Sequence, residues 1–108
     1  MNESRPVSML VIYRVKSGND APFMELLNQH WPALRKVGLA TSTPARTYRG
    51  ESKSPPTHGG SIFVETFEWT SEKSAEVAHQ TPEVMAVWEP MGPMLDGIEL
   101  IALHPLNA

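Results

Sequence analysis

The chain has 108 residues, no cysteine and a formal net charge of −3 at pH 7. This length suits one domain with a modest core and is too short for two. The absence of cysteine excludes disulfides, thiolate nucleophiles and cysteine-ligated metal sites, and the scattered Lys and Arg residues form no basic run that would favour a nucleic-acid partner. No secretory signal pattern and no apolar run of about 20 residues is present. We therefore expect a soluble, cytoplasmic protein with no membrane partner.

The first half of the chain predicts a strand, a helix and a second strand. Residues 7–16 are rich in β-branched and aromatic side chains and predict the first strand. A helix then begins near Asp20 and ends at 36–38, with Pro32 predicted to kink it. Residues 45–49 predict the second strand. The apolar stripe of the helix consists of Phe23, Leu26, Leu27, His30, Leu34 and Val37.

The second half predicts two more strands on either side of a helical pair. A polar loop over 52–60 precedes a strand over 61–69, whose composition gives the strongest strand signal in the chain. Residues 70–72 offer a helix cap, and this helix is predicted to reach about residue 80. Thr81 and Pro82 begin the next helix, which a Pro/Gly-rich segment over 90–93 should end. Residues 97–103 predict the last strand.

The order of these elements is the ferredoxin-like βαββαβ pattern, an α+β fold. It predicts one domain over 1–108 with a four-stranded antiparallel sheet and both helical layers on one sheet face. Both faces of the predicted sheet are apolar: Met9 and Val11 lie on one face of the first strand, and Leu10 and Ile12 on the other. Since the helices cover only one face, we expect a homodimer that buries the other, as in a dimeric α/β barrel.

A short motif carries a family resemblance. Residues 67–75 read Phe-Glu-Trp-Thr-Ser-Glu-Lys-Ser-Ala, with His79 and then Thr81-Pro82-Glu83 downstream. This pattern, together with the order of elements, resembles the dimeric α/β-barrel superfamily and within it the antibiotic-biosynthesis-monooxygenase-like proteins. The resemblance implies a ligand cavity between the helices and the sheet. It also implies, as one activity among several in the family, cofactor-independent oxygenation of polycyclic phenols or quinol-like molecules.

No cofactor is indicated. The haem-degrading branch of the superfamily carries a haem-ligating His in the helix after the short one, and this position falls near Trp88 here, so the axial ligand is missing. The chain also has no glycine-rich phosphate loop and no dinucleotide fingerprint. Flavin, nicotinamide and ATP are therefore not expected.

His79 is the predicted catalytic residue. It shares one helix face with Ala75 and Ala78, and these small side chains would let the helix approach the sheet with the imidazole pointing inward. An inward imidazole is suited to abstracting a phenolic proton near neutral pH. The alternative is a structural histidine that hydrogen-bonds a strand or caps its own helix.

His30 and Glu65 are polar residues at apolar positions. His30 lies on the apolar stripe of the first helix and is predicted either to line the cavity or to bond to backbone in the core. Glu65 interrupts an apolar strand and is predicted to contact the ligand. Because a buried carboxylate needs a partner, Arg14 on the adjacent strand is predicted to pair with it. A metal site of His30 and His79 completed by Glu65 or Glu68 is an open alternative. Two histidines without a spacing motif give only a weak metal signal, so no metal site is predicted.

The remaining predicted ligand contacts are aromatic. A cavity for a flat ring would use them for stacking, and the tyrosines for hydrogen bonds to ligand oxygens. These residues are Trp31, Trp69, Trp88, Tyr13 and Tyr48. The predicted function is a cofactor-independent monooxygenase for a small aromatic or quinol-like molecule. The alternatives are a non-catalytic dimeric module that binds a small apolar ligand, and an accessory protein whose apolar sheet face serves another chain.

Overall fold

A computed structural model of the protein describes residues 5–53 and 59–107. Within these residues, four strands and three α-helices follow the predicted order. The strands are β1 (Val7–Val15), β2 (Arg46–Gly50), β3 (Ser61–Trp69) and β4 (Leu95–Leu103). The α-helices are α1 (Asp20–Lys36), α2 (Ser74–Ala78) and α3 (Pro82–Met91), and a 3₁₀ turn over Gly92–Met94 leads into β4. Part of the predicted polar loop over 52–60 lies outside the described residues.

The four strands form one antiparallel sheet in the order β2-β3-β1-β4, so the predicted α+β, ferredoxin-like fold class is confirmed. The central pair is β1 and β3, in which Val11 lies opposite Glu65 and Tyr13 opposite Phe63. On the other side of β1, Tyr13 lies opposite Ile98 of β4. Directly opposed residues share a sheet face, and this register therefore decides which side chains can meet above the sheet.

The helices follow the predicted bounds except at α2. The α1 helix is continuous through Pro32 and ends at Lys36. Gly38 follows it with a φ of +78°, which suits glycine and lets the N–H of Leu39 bond to the carbonyl of Leu34 at 2.9 Å. The α2 helix is shorter than predicted and begins only at Ser74. The α3 helix begins at Pro82 and ends at Met91, within the predicted segment over 90–93. None of the described helices is long and apolar enough to cross a membrane.

The core lies between one face of the sheet and the helices. Its side chains come from alternate positions of β1 and β3 and from the stripe of α1, with α3 packed beside α1. Complete burial of one such side chain contributes about 1.5–3 kcal/mol to folding. The most deeply buried apolar residues are Val15, Phe23, Leu34, Ala40, Ala78 and Val84.

The opposite sheet face, here called the outer face, is apolar and partly exposed. Its apolar side chains alternate with the buried core positions of β1, β3 and β4, and none of the described helices packs on it. Tyr48 of β2 lies opposite Val64 and belongs to the same face, where it is 51% exposed. The apolar residues of the outer face are Leu10, Ile12, Tyr48, Ile62, Val64, Ile101 and Leu103.

Candidate functional site

An apolar cavity of about 310 Å³ lies between the helical layer and the sheet, where the sequence predicts a ligand site. Its floor comes from β1, β3 and β4, and its walls come from the three α-helices. The residues lining it are Met9, Val11, Tyr13, His30, Phe67, Trp69, Ala75, His79, Trp88, Met91, Gly92, Leu95, Ile98 and Leu100. No Lys, Arg, Asp or Glu is among these residues, so a ligand here meets aromatic rings, aliphatic side chains and two imidazoles.

The cavity is open above the edge strand β4. The register places Ile98 and Leu100 on the same sheet face as Tyr13 and Val11, yet these two side chains are 48% and 65% exposed. The helices cover β1 and β3 and leave this edge bare. A ligand of the right size would therefore cover apolar surface that water now contacts, which favours binding of an apolar molecule.

Glu65 lies beneath the cavity floor at the centre of a buried polar cluster. Its carboxylate is fully buried and accepts a hydrogen bond from the hydroxyl of Tyr13, with 2.6 Å between Oη and Oε1. Nδ1 of His30 lies 3.0 Å from both carboxylate oxygens. These contacts satisfy a carboxylate that would otherwise be very costly to bury. The predicted pair of Glu65 with Arg14 is wrong.

Arg14 is on the outer face because strand residues alternate between faces. It forms an exposed ion pair with Glu99 of β4, at 3.1 Å. Val11 lies opposite Glu65, so the odd-numbered residues of β1 share the face of Glu65 and the even-numbered ones do not. Adjacency of two strands alone does not reveal this difference, which depends on the register.

Trp88 completes the cluster from α3. Its indole nitrogen lies 2.9 Å from Nε2 of His30 and donates a hydrogen bond to it. Because an indole nitrogen is only a donor, Nε2 must be the accepting nitrogen and the proton of the neutral imidazole resides on Nδ1, facing Glu65. The direction of each hydrogen bond in the cluster follows: Tyr13, His30 and Trp88 each donate, and the carboxylate of Glu65 accepts from the first two.

The arrangement of the cluster changes the pKa of the Tyr13 phenol. Burial raises the pKa of its phenol well above the ordinary value, and the nearby charge of Glu65 and their hydrogen bond raise the pKa further. Tyr13 therefore stays protonated through the physiological range. Its hydroxyl is committed to Glu65, so Tyr13 presents its ring rather than a free hydroxyl to the cavity.

His79 lies at the cavity mouth, at the C-terminal end of α2. Ala78 on the same helix is fully buried, whereas His79 is exposed and packs its ring against Trp88, with ring centroids 4.9 Å apart. Within the described part of the chain its imidazole makes no side-chain hydrogen bond. Trp88 thus lies between the imidazoles of His30 and His79.

The structure brings together most of the predicted ligand contacts. Tyr13, His30, Trp69 and Trp88 line the cavity with His79. Trp69 contacts Phe67 edge to face, at 4.9 Å between centroids. The cluster of Tyr13, His30, Glu65 and Trp88, however, depends on contacts between residues far apart in the chain.

Three predicted contacts do not line the cavity: Glu65, which lies beneath its floor, Trp31 and Tyr48. Trp31 does not line the cavity, although it is partly buried, and its indole nitrogen is buried without a hydrogen-bond partner among the described residues. Tyr48 is on the outer face and borders a separate, shallow cavity of about 130 Å³ beside Arg49 and Phe63. The prediction that Tyr48 contacts a ligand in the main cavity is wrong because β2 presents that side chain to the opposite sheet face.

Sequence reasoning missed the wall formed by Met91, Leu95, Ile98 and Leu100. It also missed the pairing of His30 with Glu65. The available signal was that each is a polar residue at an apolar position, which marks both as buried and in need of a partner. Among the described residues no group of three or more His, Asp and Glu side chains is placed to hold a metal ion.

The cluster has a specific chemical capability. A neutral imidazole whose Nδ1–H is held by a carboxylate has a basic, correctly oriented Nε2, as in enzymes that use histidine as a general base. Here Nε2 accepts the indole N–H of Trp88, and both residues line the cavity. Proton abstraction from a ligand at this nitrogen therefore requires Trp88 to give up that contact.

No family model matches the chain, and no curated protein matches it. The chain does match solved structures. A variant of SnoaB, a cofactor-independent oxygenase from Streptomyces nogalater, is 13% identical with a TM-score of 0.69 over 95% of both chains. A candidate antibiotic biosynthesis monooxygenase from Nitrosomonas europaea is 16% identical with a TM-score of 0.66, over 98% of this chain and 95% of that one.

A protein with a different activity is equally similar in structure. The hydroxynitrile lyase from Passiflora edulis is 10% identical with a TM-score of 0.68 over 97% of both chains. At these identities the similarity establishes the fold and not the reaction. The chain therefore has the fold of the antibiotic-biosynthesis-monooxygenase-like proteins.

Proposed function

We propose that this protein binds a small aromatic or quinol-like molecule in the main cavity and oxygenates it without a cofactor. The observation that carries the proposal is the buried Glu65–His30 pair, whose oriented imidazole borders an aromatic-walled cavity free of Lys and Arg. Among proteins of the same fold, SnoaB is a cofactor-independent oxygenase. Phe67, Trp69 and Trp88 supply ring surfaces on which a flat ligand can pack.

The first step is proton removal by a histidine. Sequence reasoning assigned this role to His79. The proposal gives it to His30, because Glu65 holds the imidazole of His30 at 3.0 Å whereas the ring of His79 is exposed and not held by any described polar partner. His79 is proposed to contact the polar end of the ligand at the cavity mouth.

The second step is reaction of the resulting electron-rich anion with dioxygen. For an anthrone-like substrate, the ring methylene becomes a carbonyl: one oxygen atom enters the product, and the other leaves as water with the two methylene hydrogens. The substrate supplies all the electrons, so no external reductant is required. Access of water to the anion is limited at the end of the cavity formed by His30, whose imidazole is buried among apolar lining residues.

The experiment is oxygen uptake with product analysis over anthrone-like and hydroquinone substrates, without added cofactor. His30→Gln should abolish turnover, because the amide cannot accept the ligand proton. His79→Ala should reduce turnover less. Uptake that is identical in wild type and His30→Gln would remove His30 from the mechanism. No uptake with any substrate would contradict the proposed activity.

A second candidate, a non-catalytic binding module, is favoured by one observation. Trp88 occupies Nε2 of His30, so the cluster is complete without a substrate and forms a satisfied structural core. In this case an apolar aromatic ligand would raise the melting temperature of the protein, and neither oxygen uptake nor a product would be detected.

The outer face is proposed to be the interface of a homodimer. It carries seven apolar side chains on a sheet surface that the described helices leave uncovered. A monomer rarely leaves a contiguous apolar patch of this kind in water, and a two-fold axis would pair the patch with itself. Sheet-on-sheet packing across that axis would bury it.

A further inference from the structure

Trp88 is the residue whose position limits access to His30. Its indole N–H donates to Nε2 at 2.9 Å, and its ring packs on His79, with 4.9 Å between centroids. The residue is half-buried and borders the cavity. A ligand hydroxyl can therefore bond to Nε2 of His30 only after the indole N–H of Trp88 has released this nitrogen. The released indole N–H then needs a different hydrogen-bond acceptor.

We propose that the cavity binds phenols and enols as their oxyanions, and that Trp88 changes its hydrogen-bond acceptor from His30 to the ligand oxygen. This inference rests on the proposed function for the ligand class. The ligand O–H bond breaks, its electron pair stays on oxygen, and the proton forms a new N–H bond at Nε2 of His30. His30 becomes an imidazolium beside the carboxylate of Glu65. Nothing is oxidised or reduced in this step.

The charges of the cluster support the exchange. In the ligand-free state the Glu65 carboxylate accepts from Tyr13 and His30, and no Lys or Arg lines the cavity. Proton transfer within the complex leaves the total charge unchanged: the new imidazolium faces Glu65 on one side and the oxyanion on the other. The Nε2–H of His30 and the Nε1–H of Trp88 then both point to the oxyanion, an arrangement that stabilises developing charge strongly in a water-poor site.

The same argument explains why a tryptophan suits this position. A tyrosine or histidine could also accept a hydrogen bond and would permit the other tautomer of His30. Indole only donates, so Trp88 keeps Nε2 unprotonated in the empty site and can offer the same proton to an anion afterwards. Trp88 is thus assigned as the hydrogen-bond donor to the ligand oxyanion. Until the ligand binds, its indole N–H is bonded to the general base, His30.

The test uses 4-nitrophenol, whose phenol and phenolate forms absorb at different wavelengths, under anaerobic conditions and without turnover. At about one pH unit below the probe's own pKa, wild type should bind it mainly as phenolate. Trp88→Phe keeps a ring in the wall and removes the N–H. The ratio of bound phenolate to bound phenol should fall about tenfold in this variant, as expected for loss of one hydrogen bond to a charged group. An unchanged ratio would overturn the proposal.

A second measurement needs no variant. In the ¹H–¹⁵N spectrum of wild type, the indole signal of Trp88 should move when 4-nitrophenol binds and move much less with 4-nitroanisole, which has no hydroxyl proton. Trp31, which does not line the cavity, is the internal reference. Equal shifts with both probes would overturn the exchange while leaving the ligand class intact. Failure of both probes to bind would overturn the ligand class as well.

These readouts are independent of oxygen chemistry. Phenolate formation without oxygen uptake in the aerobic assay would support the donor role of Trp88 and contradict the proposed oxygenase. Oxygen uptake without enrichment of bound phenolate would support the proposed oxygenase and contradict the donor role of Trp88.

Discussion

Nε2 of His30 and Nε1 of Trp88 are 2.9 Å apart, although the two residues are 58 positions apart in the chain and lie on different helices. This single contact determines the tautomer of His30, because the indole can only donate. It follows that the proton on Nδ1 points to Glu65 and that the basic nitrogen points to the indole of Trp88, which lines the cavity. The cluster can therefore act as a base or remain a closed structural unit, depending on whether Trp88 moves.

Glu65 is predicted to be the most sensitive residue of the cluster. Glu65→Leu leaves the Tyr13 hydroxyl and the Nδ1–H of His30 without an acceptor, and we expect the free energy of unfolding to fall by about 2–5 kcal/mol. Glu65→Gln keeps one acceptor oxygen, so its free energy of unfolding should fall by less, about 1–3 kcal/mol. Urea denaturation measures both.

The matched control is Glu68→Gln on the same strand. Glu68 is half-buried and accepts a hydrogen bond from Thr41 at 2.8 Å. In Glu68→Gln the free energy of unfolding should fall by no more than about 1 kcal/mol. If Glu65→Leu were as stable as wild type, the cluster would not contribute to folding as described.

His79→Ala is predicted to separate ligand contact from folding. Because His79 is exposed, the free energy of unfolding should change by no more than about 0.5 kcal/mol. Ligand affinity or turnover should fall, since the imidazole lines the cavity mouth. His104→Ala, at an exposed position after β4, is the control and should alter neither. Equal ligand affinity in wild type and His79→Ala would remove His79 from the site.

Tyr13 is predicted to make the protein sensitive to alkaline pH. Its phenol pKa is raised in the folded state, so above about pH 10 the unfolded chain releases this proton while the folded chain retains it. The unfolded state then binds fewer protons, and stability falls as pH rises, by about 1.4 kcal/mol per pH unit from this one group. Below about pH 10 the group is protonated in both states and contributes no slope.

Tyr13→Phe should remove this contribution. Denaturation of wild type and variant between about pH 8 and 11 gives two curves whose difference isolates Tyr13. Parallel curves would show that the phenol titrates at its ordinary pKa in the folded protein.

The outer face is predicted to control assembly. Ile12→Lys places a charge at its centre and should convert the proposed homodimer to a monomer, because an unpaired buried charge is costly. Val77→Lys introduces the same side chain on α2, at a 48% exposed position away from the sheet, and should leave the dimer intact. Sedimentation equilibrium distinguishes the two. A monomeric wild type at micromolar concentration would contradict the dimer.

The order of elements was predictable because it depends on local patterns. The β3 strand has its predicted bounds of Ser61 and Trp69, where β-branched and aromatic residues are dense. Helix bounds were predictable except at α2. The α3 helix ends at Met91, within the predicted segment over 90–93. The α2 helix begins at Ser74, after the predicted cap over 70–72, because the Ser74 hydroxyl accepts a hydrogen bond from the N–H of Ser71 and holds residues 71–74 as a turn.

The sequence by itself determined the fold class, the two-sided apolar character of the sheet, and the anomaly of a histidine and a glutamate at apolar positions. These properties follow from side-chain periodicity along single elements. The tertiary structure alone decided that Glu65 meets His30 and Tyr13 instead of Arg14, that Tyr48 faces away from the cavity, and that Trp88 covers His30. The physical reason is that strand register and helix docking determine which distant residues share a face, and periodicity along one strand does not contain the register of its neighbour.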